Sequence, residues 1–209
     1  MFKLLRASIA VMALALTSFA YAADASLDWV ARSNANATPL LDVMAVYQPE
    51  GASSLGVDGR DAGIIDLKPR FDERMEADLA RVEAELEARL ATEADPRVRA
   101  DLQILINSAR DQRRTSELNR RLMLPYTDLP QLLFQSFNSL LDPRVARERY
   151  PAALERLARY VGRAPGHEPI ARLAEARLQE RFAVPGVTGP WKVEIEQNLR
   201  NRERFVQGI

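Results

Sequence analysis

The chain holds one histidine, His167, and no cysteine. A zincin helix needs two histidines four apart, so that one face offers both imidazoles to the metal while the glutamate beside the first polarises a water. Here His167-Glu168 is followed by Pro169, Ile170 and Ala171, so the second ligand is missing and Pro169 belongs to a helix start. His167 therefore reads as a solvated loop residue. Without cysteine there is no thiolate ligand, no disulfide and no cysteine nucleophile. Serine chemistry lacks a G-x-S-x-G elbow, and Ser53-Ser54-Leu55-Gly56 reads as a turn.

Carboxylates and arginines are plentiful. Asp58, Asp61 and Asp66 share a Gly-rich loop, but the alternate spacing of an EF-hand and its twelfth-position glutamate fail. They read as a polar loop with helix-capping aspartates. Glu83, Glu85 and Glu87 lie among arginines, the pattern of a solvated helix face rather than of the paired carboxylates of glycoside chemistry. Arg113-Arg114 and Arg120-Arg121 could grip an anion, yet Asp111 and Glu117 stand beside them and no Gly-rich phosphate loop accompanies them. The expectation is a chain with no catalytic, cofactor-binding or metal-binding residue of its own.

The elements that must position these groups read as helix after helix. The first candidate runs from Leu27 to Val46, with Asn34, Asn36, Thr38 and Pro39 dividing it into two shorter pieces. A loop follows from Gln48 to Lys68. From Pro69 to about Ala91, Met75, Leu79, Val82, Leu86 and Leu90 recur at three- and four-residue spacing, one stripe of an α-helix. Asp95-Pro96 opens the next, to about Arg121, and the two form an antiparallel hairpin. Asp128-Leu129-Pro130 opens a helix to Leu141 so apolar that burial on most sides is expected. Asp142-Pro143 starts a further one ending near Gly162, Glu168-Pro169 another through Phe182, and Trp191 the last, to Val206. Trp29, Phe134, Phe137 and Trp191 fall at apolar positions and read as core. The fold class is all-α, a bundle of about six to eight helices without significant sheet.

The first residues read as an export signal. Lys3 and Arg6 form a positive start, Ala7 to Phe19 is apolar apart from Ser8, Thr17 and Ser18, and Ala20-Tyr21-Ala22 offers small residues for a signal peptidase. Cleavage is expected between Ala22 and Ala23, dividing the chain into a signal peptide, 1–22, and a helical domain, 23–209, of the periplasm or exterior. The apolar run is short of the roughly 20 residues that cross a bilayer, and no later stretch qualifies. Beyond the signal the chain carries 27 basic and 29 acidic residues, since Lys3 and Arg6 lie within it and no acidic residue does. That balance argues against nucleic acid and anionic membranes as partners.

The order of segments resembles the N-terminal part of the bacterial family catalogued as domain of unknown function 885. Tyr47-Gln48-Pro49-Glu50-Gly51-Ala52-Ser53-Ser54-Leu55-Gly56 is similar to its Pro-x-x-Ala-[Thr/Ser]-x-Leu-Gly segment, and Asp66-Leu67-Lys68-Pro69 to its D-x-[ST]-P helix start. Arg99-Ala100-Asp101-Leu102-Gln103-Ile104-Leu105 resembles its Asp-x-x-x-Leu helix, Pro125-Tyr126 through Leu141 its next apolar segment, and Asn198-Leu199 a later helix. The resemblance implies an exported, zinc-metallopeptidase-like protein about three times this length. The histidine-glutamate metal motif of such proteins lies far downstream and matches nothing here. Zinc is thus expected in full-length relatives only, and the implied partners are a peptide substrate or a C-terminal catalytic half. A stand-alone helical module that binds a protein or peptide in a groove is the other reading the residues leave open.

Overall fold

The computed structural model describes residues 28–207. The segment 1–22 expected to be an export signal, and the expected cleavage junction at Ala22 and Ala23, lie outside them. Apolar residues at helical spacing account for the first layer. The first helix, α1, runs through 28–47 and turns Leu40, Val43 and Tyr47 inward at spacings of three and four. It packs on a hairpin of α3, Phe71–Thr92, and α4, Pro96–Leu122. Leu79, Val82 and Leu86 of α3 meet Val98, Leu102, Ile106 and Ala109 of α4, none more than 1% exposed. At roughly 1.5–3 kcal/mol for each fully buried aliphatic side chain, this seam dominates the layer's stability. Asp95 starts α4, its carboxylate accepting from the Arg97 amide at 2.9 Å.

Charged residues extend the seam. Glu76 of α3 is gripped by Arg120 through both oxygens (3.1 and 2.9 Å) and by Ser116 at 2.9 Å. Glu83 accepts from Arg110 at 2.8 Å and from Arg113 at 3.1 Å. Arg32 of α1 reaches Glu93 at the hairpin tip, 2.8 Å away.

The second layer comprises α5, Leu129–Leu140; α6, Pro151–Tyr160, entered through one 3-10 turn, Arg147–Arg149; and α7, Ile170–Phe182. Leu67, Tyr160, Ile170 and Leu173 form its buried centre. Leu67 comes from the loop before α3 and holds φ at 35°, and Arg70 holds 55°. Left-handed backbone is costly for such residues, and the burial of Leu67, 1% exposed, offsets it. The layers are tied by Arg177, which pairs with Asp72 at 2.7 Å and lies 4.7 Å over the Phe71 ring. The last helix, α8, Lys192–Gln207, packs on α5.

The described residues thus form an all-α bundle of eight helices without a strand. Their one β-type pairing is an isolated bridge between Met123 and Thr188. None of these helices is long and apolar enough to cross a membrane.

Four expectations change. α1 is continuous through Asn34–Pro39, because its inward stripe outweighs the breakers. The loop expected from Gln48 contains a short helix, α2, Pro49–Ser54, with proline at its first turn. Asp66 does not cap α3; it accepts from the Lys68 amide and pairs with Arg74 at 2.9 Å. Asp142-Pro143 starts no helix: Asp142 closes a turn with Arg144, and α6 begins at Pro151 instead.

Candidate functional site

α5 carries leucine and phenylalanine on nearly every side, yet only Ser136 and Leu140 of it are buried. Phe134 remains 46% exposed and Leu141 47%. The expected burial on most sides is only partly met: Ser136 and Leu140 are buried, Leu132, Leu133 and Phe137 pack half-buried against the second-layer core, and Phe134 and Leu141 face a groove. From α6, Leu157 and Val161 form the opposite wall, 44% and 46% exposed. Phe205 of α8 stacks on Phe134 with ring centroids 4.6 Å apart and closes one side. The groove encloses about 950 Å³ and is lined by apolar carbon almost throughout. A concavity of that size and character suits an apolar side-chain cluster.

A buried polar network lies under one wall. Arg156, fully enclosed, donates to the Ser136 carbonyl at 3.1 Å, the Ser136 hydroxyl at 2.9 Å and the Arg60 carbonyl at 3.3 Å. Tyr160 donates its phenol to Glu50 at 2.7 Å, and Glu50 also accepts from the Ile65 amide at 2.8 Å. Burial, then the Glu50 charge, raises the Tyr160 phenol, so it stays protonated and donates. Burial lowers the Arg156 guanidinium from its usual value. Nearby, Arg149 grips Asp61 at 2.6 Å and, followed by the Ser53 hydroxyl, holds its carboxyl below the ordinary range against desolvation. The network positions α6, and with it Leu157 and Val161, against α2 and the loop after it.

A second hollow, about 650 Å³, lies between the α3–α4 hairpin and α7–α8. Asp72 and Arg177 in it neutralise each other. Trp191, expected in the core, stands there 57% exposed. Trp29 does pack on the core, with Arg97 5.0 Å above its ring, and Phe137 packs on the second layer at 6.1 Å from Tyr160.

The residues singled out for chemistry are not brought together. His167 sits in the α6–α7 connection, its Nδ1 3.0 Å from the Pro165 carbonyl. Asp61 pairs with Arg149 and Asp66 with Arg74. Among the described residues no group of three or more histidines and carboxylates could hold a metal ion. Ser53, read as a turn residue, is a buried member of α2 and donates to Asp61 at 2.8 Å. Glu83 is not a solvated face residue but part of the interhelical seam.

Arg156 and the groove lie beyond what the sequence pattern predicts. The signal for Arg156 was its place at the centre of the inward α6 stripe, Ala153, Arg156 and Tyr160. For the groove it was Ser136, a small polar residue in register with buried Leu140.

Comparison with family models, curated proteins and solved structures finds no match to this chain.

Proposed function

We propose that this chain is the N-terminal helical region of an exported, metallopeptidase-like protein of the domain of unknown function 885 type, catalytically silent by itself. The groove between α5 and α6 is then the face on which the metal-bearing half sits. The observation that carries this reading is the exposure of Phe134, Leu141, Leu157 and Val161 around one apolar hollow. Apolar surface concentrated in one place tends to be covered in the working assembly. The order of the Tyr47–Gly56, Asp66–Pro69 and Arg99–Leu105 segments adds the family resemblance.

The test uses the purified chain, a hydrophobic dye and the metal-bearing half of a full-length relative as a separate polypeptide. The chain alone should bind the dye, retain no equivalent of zinc after dialysis and hydrolyse no peptide. Adding the second polypeptide should displace the dye and give co-elution, and Leu157→Asp should prevent both. One equivalent of zinc with chelator-sensitive activity in the chain alone would overturn its silence. N-terminal sequencing of the exported product should begin at Ala23; retention of Met1 would refute the signal cleavage.

The second reading, a stand-alone helical module that binds a protein or peptide segment, is favoured by α8. That helix already covers one side of α5 from within the chain. Failure of the metal-bearing half to displace the dye or co-elute would put this reading first.

A further inference from the structure

Two arginine pairs near the end of α4 are divided by the fold. Arg113 pairs with Glu83 and Glu117, and Arg120 with Glu76 and Glu73. Arg114 and Arg121 pair with no carboxylate among the described residues. They stand seven apart, nearly two turns, on one exposed face of the helix. Arg181 of α7 comes across to the same place. It donates one Nη2 hydrogen bond to the Arg120 carbonyl, while its Nε is buried and has no partner among the described residues. All three arginines, with Arg120, line one hollow of about 690 Å³, walled on its apolar side by Leu118, Val184 and Pro185. The one carboxylate in the lining, Glu117, is held by Arg113 at 2.9 Å.

Cations gather at helix C-termini because the final carbonyls are unpaired and the macrodipole is negative there. That explains Arg121, in the last turn, and Arg181 on the Arg120 carbonyl. It does not explain Arg114, more than two turns before Leu122. Three unpaired positive charges around one concavity lack a counterion. Guanidinium forks match the oxygens of a phosphate bidentately and serve a dianion better than a single carboxylate.

We propose that Arg114, Arg121 and Arg181 form an anion site for a phosphate group, separate from the apolar groove. A free phosphate or phosphate monoester and the headgroup of an anionic phospholipid share this chemistry.

Titration calorimetry with inorganic phosphate and with pyrophosphate at constant ionic strength tests the site. Binding should weaken about tenfold in R114Q and in R121Q, and by about a hundredfold in the double variant, as one charge-assisted contact after another is lost. Both residues are exposed, so circular dichroism and the thermal midpoint should not move. Arg144→Gln, at a paired arginine outside the hollow, should bind like the parent. In parallel, flotation with phosphatidylglycerol vesicles is compared with phosphatidylcholine vesicles. Phosphate binding without flotation identifies a soluble phosphate, and anionic-vesicle binding lost in the double variant identifies a headgroup; either supports the site. The proposal is overturned if the parent and R114Q/R121Q behave alike in both assays, or if chloride displaces phosphate at equal ionic strength.

Discussion

The α3–α4 hairpin and the α5–α6 pair are both built from leucine-rich helices, and they use those leucines in opposite ways. In the hairpin, Leu79, Val82 and Leu86 face Leu102 and Ile106 across a dry seam, with Glu76 and Glu83 clamped beside it. In the α5–α6 pair the buried positions are Ser136, Leu140, Ala153, Arg156 and Tyr160, so most are polar or small, while Phe134, Leu141, Leu157 and Val161 are left toward the groove. Apolar content alone therefore does not tell which surface stabilises a region. What matters is whether the facing helix supplies apolar carbon or a hydrogen-bonding group. The first region is organised to hold itself together, and the second to present a surface.

The sharpest way to break this contrast is a pair of truncations. Leu86→Ala or Leu102→Ala, at fully buried sites, should cost roughly 2–5 kcal/mol in urea unfolding. Leu157→Ser, in the groove, should cost less than about 1 kcal/mol. Equal losses would mean that the groove wall is as closed as the seam.

Next in size is Glu76→Gln. Arg120 and Ser116 would lose their charged acceptor in a largely buried place, at roughly 2 kcal/mol. A change within error would show the clamp to be incidental to the seam.

Acid should act through the same clamps. Desolvation would raise the Glu83 carboxyl, but Arg110 and Arg113 outweigh it and hold it below the ordinary range. Arg97 holds Asp95 down at about 2. A carboxylate lowered on folding contributes stability above its unfolded pKa and loses it as pH falls through the folded one. The thermal midpoint should thus drop as pH goes from about 4.5 toward 2. Glu83→Gln should make that drop shallower. An unchanged slope in Glu83→Gln would place the acid sensitivity elsewhere.

The smallest expected effect on stability comes with a clear optical one. Leu141→Ser, at a half-exposed groove position, should change the unfolding free energy by less than about 0.5 kcal/mol while removing part of the dye signal. Loss of stability without loss of dye binding would move the exposed surface away from the groove.

The hairpin was legible because its stripe needed only spacing: 79, 82 and 86 against 98, 102 and 106. Asp95-Pro96 and Asp128-Leu129-Pro130 marked their helix starts through local capping. α5 misled because composition counts apolar residues without saying which side is covered, and Ser136 at the inward position decides that. Asp142-Pro143 misled because its aspartate found a nearer partner in Arg144. Arg156 defeated the rule that charged residues lie outside, since Ser136 and the Arg60 carbonyl reach it only after folding. The candidate groove joins α5, α6 and α8, and no local pattern announces such a meeting.

The buried Tyr160–Glu50 bond spans 110 positions of sequence, whereas the clamps within the hairpin span 23 to 47. Closing a long stretch of chain costs more entropy than closing a short one, and non-local contacts form late. The hairpin can therefore assemble while α6 is still searching for α2. In a chevron experiment, Leu102→Ala should slow the refolding arm, and Tyr160→Phe should leave that arm almost unchanged and raise the unfolding rate. The long span of one hydrogen bond thus becomes a clock: it sets which part of the molecule is finished last and is first to let go.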